Sequence, residues 1–179
     1  MAFKCIFQLE ATKMSERNCN TLMALLISCV LWGAYGIQFF LHEEPCVLCL
    51  LQRLGMLGVA FGALLNIKFG IRRSHYGLSL ISAVFGGFVA LRQIALHVCP
   101  TFSKFGKPFW GLSLYTWSFI VFSSSVLYIA LLLLIFDRKK EDLKKTPMNV
   151  WGQLAFASVF LVAFSNIFTT LRQCGLGYC

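Results

Sequence analysis

The feature that most constrains this chain is an uninterrupted apolar run of 21 residues, from Thr21 to Leu41. As a helix with a rise of about 1.5 Å per residue, such a run crosses a hydrocarbon core of about 30 Å. Four more long apolar stretches follow it, and 58% of the 179 residues are hydrophobic while only 13% are charged. This composition excludes an ordinary soluble domain and is typical of an integral membrane protein.

The five apolar stretches predict a single all-α membrane domain over residues 1–179. The predicted spans cover residues 21–41, 47–67, 76–98, 115–136 and 150–171. Short connections favour antiparallel neighbours, so we expect a four-helix transmembrane bundle with a fifth transmembrane helix on its outside. Gly55, Gly58 and Gly62 recur at three- and four-residue spacing in the second span, which favours close contact with another helix.

The basic residues predict how the chain is oriented. With the N-terminus inside, the three inner segments hold three, three and five lysines and arginines, whereas the outer segments hold five in total. Because lysine and arginine favour the cytoplasmic side, we expect a cytoplasmic N-terminus and a C-terminus on the outer side. Orientation within membrane lipid explains the net charge of +9 better than nucleic-acid binding does, so no nucleic-acid partner is expected.

This orientation divides the eight cysteines between two redox compartments. Cys5 and Cys19 lie on the reducing side, and Cys29 lies within the first span. Five cysteines fall on the oxidising side: Cys46, Cys49, Cys99, Cys174 and Cys179. Because disulfides persist only in an oxidising compartment, the division favours a thiol-redox function.

Two cysteines and an arginine stand at the start of the second span, between Pro45 and Arg53. Cys46 and Cys49 have the spacing at which one helical turn can close a strained disulfide and reopen it by thiol exchange. If the helix begins near Cys46, both cysteines and Arg53 share one face. The unpaired N–H groups of the first turn favour the thiolate there. Arginine costs roughly 2.5 to 3.5 kcal/mol at the centre of a membrane, so Arg53 needs an anionic or carbonyl partner.

The sequence Pro45-Cys46-Val47-Leu48-Cys49, with Arg53 four residues later, resembles the first periplasmic loop of the disulfide bond formation protein B (DsbB) family. Looser similarity continues at Arg92-Gln93 and from Gly111 to Trp117. The resemblance implies a bacterial inner-membrane enzyme that reoxidises a periplasmic, thioredoxin-like (DsbA-like) dithiol oxidase and passes electrons to ubiquinone or menaquinone. It also implies that Cys49 meets the quinone and that Arg53 stabilises negative charge there.

A relay of this kind needs a second disulfide, which the soluble partner attacks. The resemblance implies a second cysteine pair in the loop before the fourth helix, but that loop holds only Cys99. We therefore expect Cys174 and Cys179 to form the partner-facing pair, because Gly175 and Gly177 allow the chain between them to turn tightly. In the alternative, Cys99 forms a disulfide with one of the two cysteines of the C-terminal tail, Cys174 or Cys179, and so fixes the fifth span against the bundle.

Other functions remain open for the same residues. Cys46 and Cys49 with His42 and His97 would form a Cys2His2 metal set, and the two histidines alone would ligate a haem. Since the histidines lack helical ligand spacing, we expect no metal. A scaffold stapled by its cysteines is a further alternative. Arg92, near the outer end of the third span, either snorkels to the interface or forms a second cation at the quinone site.

Overall fold

The computed structural model describes residues 2–41, 46–98, 109–135 and 148–175, with side chains throughout these ranges except at 2–15, 41, 135, 173 and 174. Their secondary structure is almost entirely helical. The helices are α1 (Ala2–Leu41), α2 (Val47–Phe69), α3 (Arg73–Val98), α4 (Leu114–Ile135) and α5 (Val150–Cys174). Each contains an apolar segment long enough to cross a membrane. The predicted all-α membrane fold is therefore confirmed.

The first helix is longer than the first predicted span. It begins at Ala2, whereas its membrane-length apolar segment runs from Glu16 to Phe40. Residues 2–20 contain no glycine or proline and many good helix formers, so nothing in this stretch stops the helix before the span. The helix therefore continues out of the apolar segment as a polar extension.

The helices pack around α2, which contacts all four of the others. Helix α3 also contacts α4 along its length, and α5 lies against α1 and α2. The expected arrangement, a four-helix bundle with a fifth helix on its outside, is thus confirmed.

The glycines of α2 bring it close to α3, as predicted. A β-carbon at Gly55 would lie 3.0 Å from the Cα atom of Gly86, and at Gly62 it would collide with the Ser79 side chain and the His75 carbonyl. On its other side Gly86 faces the ring of Phe122 in α4, which is 1% exposed. One glycine of α3 therefore permits close approach to two neighbouring helices.

Helix α5 runs parallel to α1. The Ser28 hydroxyl shares a hydrogen bond with Ser158. About two turns further along both helices, the Tyr35 hydroxyl donates to Asn166 Oδ1 at 3.2 Å. The Trp32 indole N–H also donates to Ser158, at 3.1 Å. Because both helices run in the same direction, α5 ends at the end of the bundle where α1 leads into α2.

We expect Gly86→Ala to destabilise the protein by about 1–3 kcal/mol, the usual cost of overpacking, because the added β-carbon would overlap the ring of Phe122, which is itself buried. Gly77→Ala in the same helix is the matched control. A β-carbon at Gly77 meets nothing within 4 Å, so helix propensity alone should leave stability unchanged or raise it by up to about 1 kcal/mol. Thermal unfolding in detergent micelles measures both. Equal unfolding temperatures for the two variants would contradict the close α3–α4 contact.

Candidate functional site

The two cysteines of the motif meet at the first turn of α2. Cys46 is the N-cap residue, and its sulfur accepts a hydrogen bond from the backbone N–H of Cys49 at 3.2 Å. The sulfur atoms of Cys46 and Cys49 lie 2.7 Å apart and share a hydrogen bond, and both residues are free thiols. One helical turn thus brings the pair within reach of disulfide formation, as their spacing predicted.

A buried glutamine from α3 contacts both sulfurs. The Gln93 side-chain amide donates to Cys46 Sγ at 3.4 Å and to Cys49 Sγ at 3.7 Å. Its carbonyl oxygen accepts a hydrogen bond of 2.7 Å from Gln52, and both glutamines are almost fully buried. Because Gln52 occupies the carbonyl side, the NH2 group of Gln93 is fixed toward the sulfurs.

These contacts stabilise negative charge on Cys46, which lies just outside the membrane-spanning segment of α2. The pKa of the Cys46 thiol is lowered to about 6, chiefly by its hydrogen bond with the Cys49 side chain. Burial opposes this shift, while the backbone N–H of Cys49 and the Gln93 amide add to it. At neutral pH Cys46 is therefore a thiolate, the form that attacks disulfides.

Arg53 lies two turns further into α2, and its partners lie on α1. The residue is 8% exposed, and its guanidinium donates to Gln38 Oε1 at 2.8 Å and to the Ala34 carbonyl at 3.5 Å. Its Cζ atom lies 4.5 Å from the centre of the Tyr35 ring. The expected carbonyl partner is present on α1, whereas no thiolate contact is found among the described residues. The long side chain reaches across to α1 instead of back along α2.

A cavity of about 430 Å³ opens beside the cysteine pair, between α1 and α4. Its walls are mainly apolar, with contributions from Leu31 and Ile37 of α1 and from Trp117 and Val121 of α4. Helices α1, α2 and α3 contribute most of its polar groups, and α4 adds two hydroxyls: Gln38, Cys49, Gln52, Arg53 and Gln93, with Tyr115 and Ser118. The motif thus supplies one thiol and one cation to the same cavity wall, as their shared helix face predicted.

Neighbouring residues of α3 have opposite environments. Arg92, which the sequence singled out as a possible second cation, is exposed and does not line the cavity, whereas Gln93 is 1% exposed and contacts both sulfurs. The snorkelling alternative therefore fits Arg92. The only sequence signal for Gln93 is its place in the Arg92-Gln93 similarity, and that signal does not predict a contact with the sulfurs.

The other predicted site residues are described only in part. Cys99, Cys179 and His42 lie outside the described residues, and for Cys174 only the backbone at the end of α5 is described. In the described part of the chain, no three histidine, cysteine or acidic side chains come together as metal ligands. His97 Nδ1 lies 2.8 Å from the backbone carbonyl oxygen of Gln93, within hydrogen-bond distance, and the His97 ring stacks on Tyr115.

Comparison with known proteins agrees with this geometry. A family model described as disulfide bond formation protein DsbB matches residues 16–105, half of the chain, including both motif cysteines, Arg53 and Gln93. The chain belongs to the disulfide bond formation protein B family. With five membrane-length helices, this membership makes the protein a multi-pass protein of the inner membrane. It also disfavours the metal-binding and haem-binding alternative.

Curated relatives carry the same family name. The protein called disulfide bond formation protein B from Chromobacterium violaceum is 37% identical over 84 residues, which cover 42% of this chain and 51% of that protein. Its counterpart from an Acidovorax species is 35% identical over 91 residues, or 48% of this chain and 52% of that protein. The chain thus spans about half the length of these relatives. No solved structure matches it significantly. The family match ends before α4, so α5 and the tail cysteines lie beyond it.

The hydrogen bond from Gln93 should contribute to the low pKa of Cys46, after the larger effect of the Cys49 side chain. In the reduced protein, we expect alkylation of Cys46 by iodoacetamide to reach half its maximal rate near pH 6 and to slow as the pH falls further, because the thiolate is protonated. Gln93→Leu removes a donor to the thiolate, so the midpoint should move to higher pH. Peptide mass spectrometry measures modification at Cys46 separately from the other thiols.

Arg92→Gln is the matched control for this measurement. It changes the adjacent, exposed residue of α3 and should leave the midpoint close to that of the wild type, because an exposed charge is screened. A midpoint that stays near pH 6 in Gln93→Leu would show that the Gln93 amide does not stabilise the thiolate.

Proposed function

We propose that this protein is a quinone-dependent thiol:disulfide oxidoreductase that reoxidises a periplasmic dithiol oxidase. The observation that carries the proposal is the Cys46–Cys49 pair, whose first thiol has a pKa of about 6 and whose second lines a cavity that Arg53 also lines. Family membership supports the same reaction. A thioredoxin-like, DsbA-like protein is the proposed partner, and ubiquinone or menaquinone is the proposed electron acceptor.

The cavity fits a quinone head group. Its volume of about 430 Å³ lies in the usual range of small-molecule sites, and its apolar walls suit a lipid-soluble ring. Arg53, Gln38 and Gln52 supply hydrogen-bond donors on the side where Cys49 lies. A quinone bound there would accept two electrons and two protons. The position of Cys49 on the cavity wall supports its assignment as the cysteine next to the quinone, with Cys46 at the rim.

The reaction consists of two linked steps. The first is thiol exchange: a thiolate of the partner attacks the disulfide of the second pair, and the other partner thiol releases the resulting mixed disulfide, so that the partner gains a disulfide and the second pair gains two thiols, which reduce the Cys46–Cys49 disulfide by the same exchange. In the second, Cys46 and Cys49 form their disulfide again and pass two electrons to the acceptor in the cavity, which takes one proton from the Cys49 thiol and one from water, where the Cys46 proton was lost. Gln93 stabilises the Cys46 thiolate before this step.

Arg53 would stabilise the negative charge that develops at the acceptor. Its guanidinium is buried, so its interactions with charge in the cavity are stronger than they would be in water. Its contacts with Gln38, Ala34 and Tyr35 fix its position beforehand. Fixed donors of this kind need no reorganisation during the reaction.

For the second pair, we propose Cys174 and Cys179. Because α5 runs parallel to α1, it delivers Cys174 to the end of the bundle where the Cys46–Cys49 motif lies. With the proposed cytoplasmic N-terminus, this end faces the periplasm, where the soluble partner is. The remaining alternative pairs Cys99 with one of the tail cysteines.

The motif cysteines test the central proposal. We expect Cys46→Ser and Cys49→Ser each to abolish turnover, because neither variant can form the motif disulfide. Cys29→Ser is the control, since Cys29 is exposed on α1 and does not line the cavity, and it should keep near-normal activity. Turnover is measured with purified protein, a reduced thioredoxin-like dithiol oxidase and a short-chain ubiquinone or menaquinone. Near-normal turnover in either motif variant would refute the proposal.

The same assay separates the two steps through Arg53→Ala. Quinone reduction should fall by about 100-fold, the usual cost of removing a donor that stabilises developing negative charge. The rate of thiol exchange with the partner, measured without quinone, should change much less. Equal losses in both steps would contradict the role assigned to Arg53.

The tail cysteines are tested by trapping the mixed disulfide with the partner. A partner whose second cysteine is replaced by serine cannot release the bond. If Cys174 and Cys179 form the second pair, mass spectrometry should find the trapped bond on one of them, and Cys99→Ala should leave turnover intact. Trapping at Cys99, with none at the tail, would favour the alternative pairing.

A further inference from the structure

Helix α5 contacts the proposed quinone site through a short series of buried side chains. The Asn166 side-chain oxygen accepts a hydrogen bond from the Tyr35 hydroxyl at 3.2 Å, and the Arg53 guanidinium lies over the ring of that tyrosine at 4.5 Å. Tyr35 is 2% exposed and Asn166 8%. Two side chains therefore connect a helix beyond the family match to the cation of the cavity.

The orientation of the Tyr35 ring depends on this hydrogen bond. Burying a phenol hydroxyl without a hydrogen-bond acceptor in a membrane bundle destabilises the fold. The Tyr35 hydroxyl therefore keeps its hydrogen bond to Asn166. Asn166 thereby holds the hydroxyl end of Tyr35 in place and keeps the side chain from swinging away about its Cα–Cβ bond. Because the attraction between a guanidinium and an aromatic ring requires the cation over the ring face, a turned ring would no longer hold Arg53 in place.

The three contacts of Arg53 all come from one stretch of α1. Ala34 and Tyr35 are adjacent, and Gln38 lies one turn further along. Of these three groups, the Tyr35 side chain also has a hydrogen bond to α5. Movement of α5 against α1 would therefore reach Arg53 through the ring of Tyr35.

We propose that Asn166 is a positioning residue for Arg53, so that α5 is part of the electron-acceptor site as well as a membrane anchor. This inference rests on the proposed function. Asn166 fixes Tyr35, Tyr35 holds the guanidinium, and the guanidinium faces the cavity. The fifth helix would then set how tightly the site binds a quinone.

A second contact between α1 and α5 provides a matched control. Ser158 bonds with Ser28 and accepts from the Trp32 indole, and none of these three residues lines the cavity or contacts Arg53. Ser158→Ala thus weakens the packing of α5 and keeps the hydrogen bond between Tyr35 and Asn166, although it also releases Trp32, whose ring centre lies 6.3 Å from that of Tyr35. Asn166→Leu keeps the branched shape and the number of heavy atoms in the side chain and removes the acceptor.

The test measures the KM for a short-chain ubiquinone with dithiothreitol as electron donor. Asn166→Leu should raise the KM about two- to tenfold, the effect of losing one hydrogen bond, with little change in the quinone-free rate of reduction by dithiothreitol. Ser158→Ala should leave the KM unchanged. A wild-type KM in Asn166→Leu, or equal increases in both variants, would overturn the proposal.

A second measurement needs no quinone and separates this inference from the proposed function. Thermal unfolding is compared for Asn166→Leu, Arg53→Gln and the double variant. If Tyr35 couples the two residues, the double variant should lose less stability than the two single losses together, while additive losses would overturn the proposal. A wild-type protein that reduces no quinone would refute the proposed function, and the unfolding comparison would still decide whether Asn166 positions Arg53.

Discussion

The structure depends on satisfying one buried arginine. In the apolar interior of a membrane bundle each polar group needs a partner within the protein, and an arginine needs several. Arg53 finds these partners on α1, in the Gln38 amide, the Ala34 carbonyl and the Tyr35 ring. This requirement sets the rotation of α1 relative to α2. It also brings the cation to the wall of the cavity between α1 and α4, where it can serve a ligand.

The opposite end of the bundle has a polar network of its own. There the Asn66 amide donates to Asn20, Asn20 donates to the Tyr76 hydroxyl, and Tyr76 donates to the Glu16 carboxylate. This network joins α1, α2 and α3, and the Tyr128 hydroxyl joins α4 to the Cys19 carbonyl. Because α1 and α4 are held together at that end, they can separate around the cavity without loss of the bundle.

The sequence predicts the parts of this architecture that depend on local composition. Apolar length identifies the five helices, and the glycine spacing of α2 predicts close contact with another helix, which the structure shows to be α3. What it cannot predict is how far each helix rotates about its axis, since that depends on contacts between residues distant in the chain. For this reason the sequence predicts that Arg53 needs an anionic or carbonyl partner, but not that the partner lies on α1. Likewise the sequence pointed to Arg92 as a possible second cation at the site. The rotation of α3 about its axis instead directs the next residue, Gln93, toward the sulfurs.

The position of the motif at a helix terminus gives its two thiols different surroundings. Cys46 precedes the first turn of α2 and does not line the cavity, whereas Cys49 lies one turn deeper, on the cavity wall. A disulfide between them would therefore have one sulfur near the water phase and the other facing a lipid-soluble acceptor. In the proposed reaction the partner's electrons arrive from water and leave into the membrane. Because the pair spans the N-cap, one disulfide bond would connect the water phase with the membrane interior. A pair deeper in the helix could not do this, because thiols in the water phase would not reach it.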